Sequence, residues 1–220
     1  MTNALPQPSR SGLTPVERVS EVLFGLIMVL TFTGSLSVAE AGRDDVRAML
    51  IGALGCNLAW GIIDALLYLM GCLAEKEQNR KAYLAVRSAG DAAEAQRAIS
   101  DAVPPVLASI LRPDEFAAIH ERLKQLPDPP PRARLGQGDW RGAAGVFLLV
   151  VICTFPVAIP FLVMHSAHPA MRVSNAIAVT MLFLAGIAFG RTAGWHPLLG
   201  GIVMVVIGLV LVGMTIALGG

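Results

Sequence analysis

Charge is scarce in this chain. Of its 220 residues 15% are Asp, Glu, Lys or Arg, against about 25% in a soluble globular domain. Hydrophobic residues make up 55% and mean hydropathy is +0.63, which excludes a disordered or collagen-like chain and most soluble enzymes. An excess of basic charge is also missing: the formal net charge is +1, so the concentrated basic surface that nucleic-acid binding needs is absent. Cysteine is limited to Cys56, Cys72 and Cys153, all inside apolar runs. They cannot form a secreted disulfide framework and read as small buried apolar residues. A Walker A loop, a His-Glu-x-x-His pair, a Cys-x-x-Cys motif and a nucleophile elbow are all lacking, so nothing points to an enzyme.

What remains is a pattern of long apolar runs. A bilayer core about 30 Å thick needs roughly 20 apolar residues in a helix. Residues 22–39 are free of charge, 48–74 are interrupted only by Asp64, and a third run follows Arg141 to Met164. A fourth and shortest run lies between Arg172 and Arg191, and a fifth follows His196. The expectation is an all-α polytopic membrane protein with five transmembrane helices and a cytoplasmic helical insertion between spans 2 and 3. Its segments are a flexible N-terminal stretch (1–18), spans 1–2 (19–74), the insertion (75–135) and spans 3–5 (136–220). Residues 1–15 are polar and carry prolines, unlike a secretory signal. With the N-terminus in the cytoplasm and the C-terminus outside, only Arg43, Arg47 and Arg172 of the 17 basic residues face outward, as the positive-inside rule asks. Trp140 and Trp195 then lie at the inner interface. The compact chain points to the inner (plasma) membrane.

The insertion reads as three short helices. Asp91 caps one, with Glu94 three residues on as a capping box, and Pro104-Pro105 ends it or starts the next. Phe116, Ile119, Leu123 and Leu126 form an amphipathic stripe, and Pro127–Pro131 a stiff linker. His120 and Glu121 read as surface residues. So small a segment is expected to pack on a second copy or on the membrane helices.

An ionisable residue inside a membrane helix is costly and marks a functional site by default. Asp64 is the clear case, roughly 15 Å deep at 1.5 Å per residue. Asn57 lies seven residues earlier on the same face, with Gly61 between. The face offers an ion or proton site; the structural alternative is a hydrogen bond that glues helices together. On the first span Glu21, Gly25, Met28, Phe32 and Ser35 share a stripe. A hard carboxylate followed by a soft thioether suits a borderline transition ion, although a glutamate at a helix end is also commonly just solvated. Pro156 and Pro160 free backbone carbonyls and mark either a broken helix at a transport path or a packing kink. His165 and His168 in MHSAHPAM offer an outer metal contact or a solvated turn. Gly200, Gly201, Gly208 and Gly213 read as packing positions on the last helix.

The first span, with FGLIMVLTFTGSLS from Phe24, is similar to the glycine-bearing first helix of the vacuolar iron transporter family. The order of two spans, a helical insertion and three further spans opened by a proline-bearing helix also resembles that family. The resemblance implies a homodimer with a pathway between subunits, an antiporter exchanging Fe²⁺ or Mn²⁺ for protons and moving metal out of the cytosol, with no covalent cofactor. It puts Phe24 where the family's aspartate is expected, so that Glu21 substitutes, and Asn57 where a glutamate is expected. Ala65 falls on the expected methionine, with Asp64 beside it as the replacement ligand. Pro156 and Pro160 match the family's paired prolines, spaced one residue wider. The set implied for transport and proton coupling is Asp64, Asn57 and Glu21, and for the metal Asp64, Glu21 and Met28. The family's insertion binds metal through glutamates; here Glu75, Glu77, Asp91, Glu94, Asp101, Asp114, Glu115 and Glu121 are balanced by basic residues. Two other readings stay open: a membrane-anchored structural or regulatory protein that binds a protein partner through its insertion, and a transporter of another solute.

Overall fold

The computed structural model describes residues 13–34 and 43–217, apart from the side chains of 31–34, 43–46, 167, 168, 212, 215 and 216. Residues 1–12 of the expected flexible stretch, Ser35 and the side chains of Phe32, Arg43 and His168 thus lie outside the described residues. The described elements are all helical: α1 (Pro15–Gly34), α2 (Arg43–Ser88), α3 (Ala92–Ala102), α4 (Pro105–Ile110), α5 (Pro113–Gln125), α6 (Gln137–Ile152), α7 (Phe155–Val163), α8 (Ala167–Thr192) and α9 (Pro197–Ala217). Helix α1 starts inside the stretch expected to be flexible. Thr14 caps it: the Glu17 N–H donates to Thr14 Oγ1 (3.2 Å) and the Thr14 N–H to Glu17 Oε2 (2.8 Å), a reciprocal box that satisfies two orphan donors.

The expectation of five spans is corrected to three. Among the described residues, Arg47–Ser88, Gln137–Val163 and Pro169–Thr192 are long and apolar enough to cross a membrane, and Pro197–Leu211 of α9 is a shorter apolar helix. For α1 the reason is the placement of charge. Glu17, Arg18 and Glu21 occupy the first two turns of α1, which leaves 22–34 as a charge-free helix only about 20 Å long at 1.5 Å per residue. The run expected to be shortest is instead 26 residues of helix, because α8 begins within the supposed outer loop. Pro169 is tolerated there, in a first turn whose N–H groups have no helical partner.

Among the described residues the chain forms two compact units, one holding residues 69–140 and the other 13–68 and 141–217. In the first unit the end of α2 packs with α3 and α5 around Val86, Ile99 and Phe116, flanked by Ile119 and Leu123. Asp91 caps α3, its carboxylate accepting from the Glu94 N–H (2.7 Å), while Glu94 accepts from the Gly90 N–H (2.8 Å) rather than from that of Asp91. Tyr83 and Arg87 of α2 hold the far end of α5: Tyr83 donates to the Leu123 carbonyl (3.2 Å), and Arg87 reaches Asp128 (2.7 Å). His120, read as a surface residue, is buried, because it sits one turn after Phe116 on the packed face of α5.

In the second unit the core joins Leu23, Leu26, Val29 and Leu30 of α1 to Val157 of α7 and Ala178, Leu182 and Ala185 of α8. A smaller cluster gathers Leu50 of α2, Ala158 and Phe161 of α7 and Ala170 of α8. Helices α8 and α9 meet at glycines: a Cβ on Gly186 would lie 2.5 Å from the Gly200 carbonyl oxygen, and one on Gly208 2.9 Å from Leu182. Gly213 has nothing within 4 Å. Gly194, at φ +73°, takes the left-handed turn out of α8 that disfavours a Cβ, and the Trp195 N–H returns to the Gly190 carbonyl (2.8 Å).

Candidate functional site at the seam of α1, α2 and α6

Two glycines bring three helices together. A Cβ on Gly25 of α1 would stand 2.5 Å from Cys153 Sγ and 3.1 Å from the Val150 carbonyl oxygen. A Cβ on Gly61 of α2 would stand 3.1 Å from the Phe147 ring and 3.4 Å from the Phe147 carbonyl oxygen. The absence of a side chain at each position lets the end of α6 approach both neighbours. That end is where α6 stops. Pro156 has no N–H to return to the Ile152 carbonyl, so α6 closes at Ile152 and α7 opens at Phe155. At the break the Thr154 hydroxyl donates to the Val151 carbonyl (2.7 Å) and the Cys153 thiol to that of Val150 (3.1 Å). The Ser174 hydroxyl of α8 ties α7 down through the Val157 carbonyl (2.6 Å).

Helices α1 and α2 run antiparallel along this seam and meet in three consecutive rungs. In the first, the Glu21 and Asp64 carboxyls stand against each other. In the second, the Phe24 and Trp60 rings pack edge-on at 5.4 Å, a favoured aromatic geometry. In the third, Cys56 Sγ lies 3.9 Å from Met28 Sδ. Asn57 sits behind the rungs, 1% exposed. Its amide donates a long 3.5 Å bond to the Val150 carbonyl, and its Oδ1 is buried with no hydrogen-bond partner. Asp64 Oδ2 is also buried and unpartnered.

The chemistry of the first rung follows from the donor inventory. Two carboxylates are acceptors only, so a hydrogen bond between them requires a proton on one of them. Without that proton the pair is two like charges side by side in apolar surroundings, and a cation between them is the other way to remove the repulsion. The site residues named from sequence are therefore not all together. Glu21 and Asp64 touch. Met28 is two turns from Glu21 and Asn57 two turns from Asp64, about 11 Å at 1.5 Å per residue, beyond the reach of one ion whose ligands stand within about 2.6 Å. Among the described residues no group of three or more His, Cys, Asp or Glu side chains could hold a metal ion. His165 is exposed, just ahead of the α8 N-cap Ser166. Pro156 lies in the first turn of α7, and Pro160 is buried inside it.

Sequence reasoning passed over Cys56, Cys153, Phe24 and Trp60 as members of the seam. Their signal appears only in the register between α1 and α2. It also passed over a buried ion pair in the other unit. Lys76 of α2 bonds Asp139 at the start of α6, the two side chains being 7% and 0% exposed. Asp139 also accepts from the Gly136 N–H (2.6 Å), and Lys76 donates to the Arg134 carbonyl (3.4 Å).

None of the curated proteins matches the chain. A model of the VIT family matches residues 94–220. That stretch holds α7, α8 and α9 and the prolines, but it begins after Glu21, Met28, Asn57 and Asp64. With a match over more than half of its length, the chain belongs to the VIT family, whose proteins are metal-ion transporters and not enzymes.

Proposed function

We propose that the chain carries a divalent transition-metal ion, Fe²⁺ or Mn²⁺, across a membrane in exchange for protons, with the contact between Glu21 and Asp64 as the exchange point. That contact carries the reading. Family membership supports metal-ion transport, and the carboxyl pair supplies what proton coupling needs: a place where either a proton or a cation, but not neither, is accommodated. Loading the ion displaces the shared proton, and release of the ion restores it. The crossing helices of one copy are too few to enclose a hydrophilic path, so the path runs at the interface of a homodimer. The direction is out of the cytosol across the plasma membrane, with the insertion on the cytosolic side. Lipid covers the outward apolar faces of α2, such as Ile51, Leu58, Ile62 and Leu66, which are exposed.

The test is metal-dependent proton movement in proteoliposomes, with Fe²⁺ and Mn²⁺ measured separately. Asp64→Asn keeps size and hydrogen bonding but removes the exchangeable proton, so coupled flux is expected to fall at least tenfold in a variant that remains folded. Flux equal to the wild type in Asp64→Asn and in Glu21→Gln would overturn the mechanism.

A further inference from the structure

We propose that Met28 and Cys56 form a second binding site on the same seam, one that takes soft or borderline late transition ions through sulfur. The two sulfurs stand 3.9 Å apart, a separation at which both can reach one ion with metal–sulfur bonds of about 2.3 Å. One sulfur comes from each of two antiparallel helices, so the pair is held by tertiary packing and not by a chance of local sequence. Both residues are only partly buried, which leaves the site open on one side. Cys72, by contrast, is buried, and the Cys153 thiol is spent on the Val150 carbonyl.

The chemistry is that of a thiol giving up its proton to become a thiolate ligand when the metal binds, with a neutral thioether beside it. Thiolate and thioether select soft ions and reject Mg²⁺ and Ca²⁺, whose preferred ligands are oxygens. The sulfur rung is about two helical turns, roughly 11 Å, from the carboxylates, with the Phe24–Trp60 contact between them. One ion cannot span that distance, so the sulfur pair is a separate stop, chemically softer than the first. Its role as a second station for the cargo rests on the transport reading above. Its ability to bind a soft ion does not.

Cd²⁺ is the probe, applied to the purified full-length chain in detergent with Mg²⁺ as the control. Two readouts are taken: protection of Cys56 from alkylation, located by peptide mass spectrometry, and the ultraviolet thiolate-to-Cd²⁺ charge-transfer absorption. The expected result is that Cd²⁺ slows Cys56 alkylation at least tenfold, that Mg²⁺ does not, and that the absorption disappears in Cys56→Ser. Met28→Leu, which keeps the thiol and the packing volume, is expected to weaken the Cd²⁺ midpoint at least fivefold. Unprotected Cys56, absorption that persists in Cys56→Ser, or a midpoint unchanged in Met28→Leu would each overturn the site. If alkylation is too slow to follow even without metal, the absorption decides alone. Asp64→Asn runs alongside and is expected to retain Cd²⁺ at the sulfurs. A wild-type chain that moves neither Fe²⁺ nor Mn²⁺ yet binds Cd²⁺ through Cys56 would defeat the transport mechanism while leaving this site standing.

Discussion

Each of the two units holds a pair of ionisable side chains in close contact, and the pairs are of opposite kinds. In the unit of residues 69–140, Lys76 meets Asp139, a cation against an anion, with Gly136 and Arg134 backbone groups supplying further bonds. In the other, Glu21 meets Asp64, and both partners are carboxyls. The first pair is electrically complete, and burial without water is tolerable because each charge has its counter-charge and extra hydrogen bonds. The second is complete only with something added. A fold that needed these positions solely for stability would do better with opposite charges or apolar groups. The like pair therefore points to a role that depends on what comes and goes between the two carboxyls, and the unlike pair to one that depends on nothing moving.

Breaking the complete pair is expected to have the largest effect on stability. Lys76→Met strands Asp139 as a buried charge without its partner, which costs about 3–5 kcal/mol. Replacing both residues with apolar ones of similar volume, Lys76→Met with Asp139→Leu, removes the stranded charge and should recover most of that loss. Thermal unfolding of the two variants in detergent checks this. A double variant no better than the single would mean that the backbone bonds to Asp139, and not the ion pair, hold this corner together.

The close approach at the seam comes next. Gly25→Ala puts a methyl 2.5 Å from Cys153 Sγ, and overpacking of this kind costs about 1–3 kcal/mol. The clash is chiefly with a side chain, so Cys153→Ala added to Gly25→Ala should restore part of the stability. The Val150 carbonyl oxygen, 3.1 Å from the same point, cannot be trimmed, and rescue should stop short of complete. Full rescue would show that α6 can withdraw freely from α1 at this level.

Asp64 was legible in the sequence because a single charge in a long apolar run has no ordinary reason to be there. Glu21 was legible from its place on the stripe with Gly25 and Met28. That the two touch was not legible, since it depends on the register of α1 against α2. Cys56 was hidden for the same reason: in an apolar run a cysteine reads like an alanine until its neighbour is known to be a methionine. Lys76 lies between Glu75 and Glu77, a setting that reads as a solvated charge run, and its partner is 63 residues away. The first span was overread because its apolar run was counted as a crossing without setting helix length against the charges in the first turns of α1. In the insertion, local signals went further: of the stripe, Phe116, Ile119 and Leu123 lie at or against the buried core, while Leu126, just past the end of α5, is exposed. His120 went astray only because its chemistry was weighed above its position on that stripe.

A smaller effect is expected at the cap of α3. Asp91→Ala removes the acceptor of the Glu94 N–H, 2.7 Å away, and such losses are typically about 1 kcal/mol. The change touches the unit of Lys76 and Asp139 without touching that pair, so it measures how far a purely local defect destabilises the unit. Thermal unfolding provides the number, and a loss near that of Lys76→Met would mean that the helical insertion depends on its caps as heavily as on its buried ion pair.

Asp64→Asn should have the smallest effect of all, within about 1 kcal/mol of the wild type, as for substitutions that open no cavity and strand no charge. The amide has the size of the carboxyl and can donate to Glu21 without needing a proton to be shared. Stability is therefore nearly kept while the exchangeable site is lost. The contrast with Lys76→Met is the sharpest form of the comparison: Asp64 is dispensable for folding and Lys76 is not. A loss of 3 kcal/mol or more in Asp64→Asn, about the cost of stranding a buried charge, would place Asp64 beside Asp139 as a structural residue. The contact with Glu21 would then be helix packing, with no exchange site behind it.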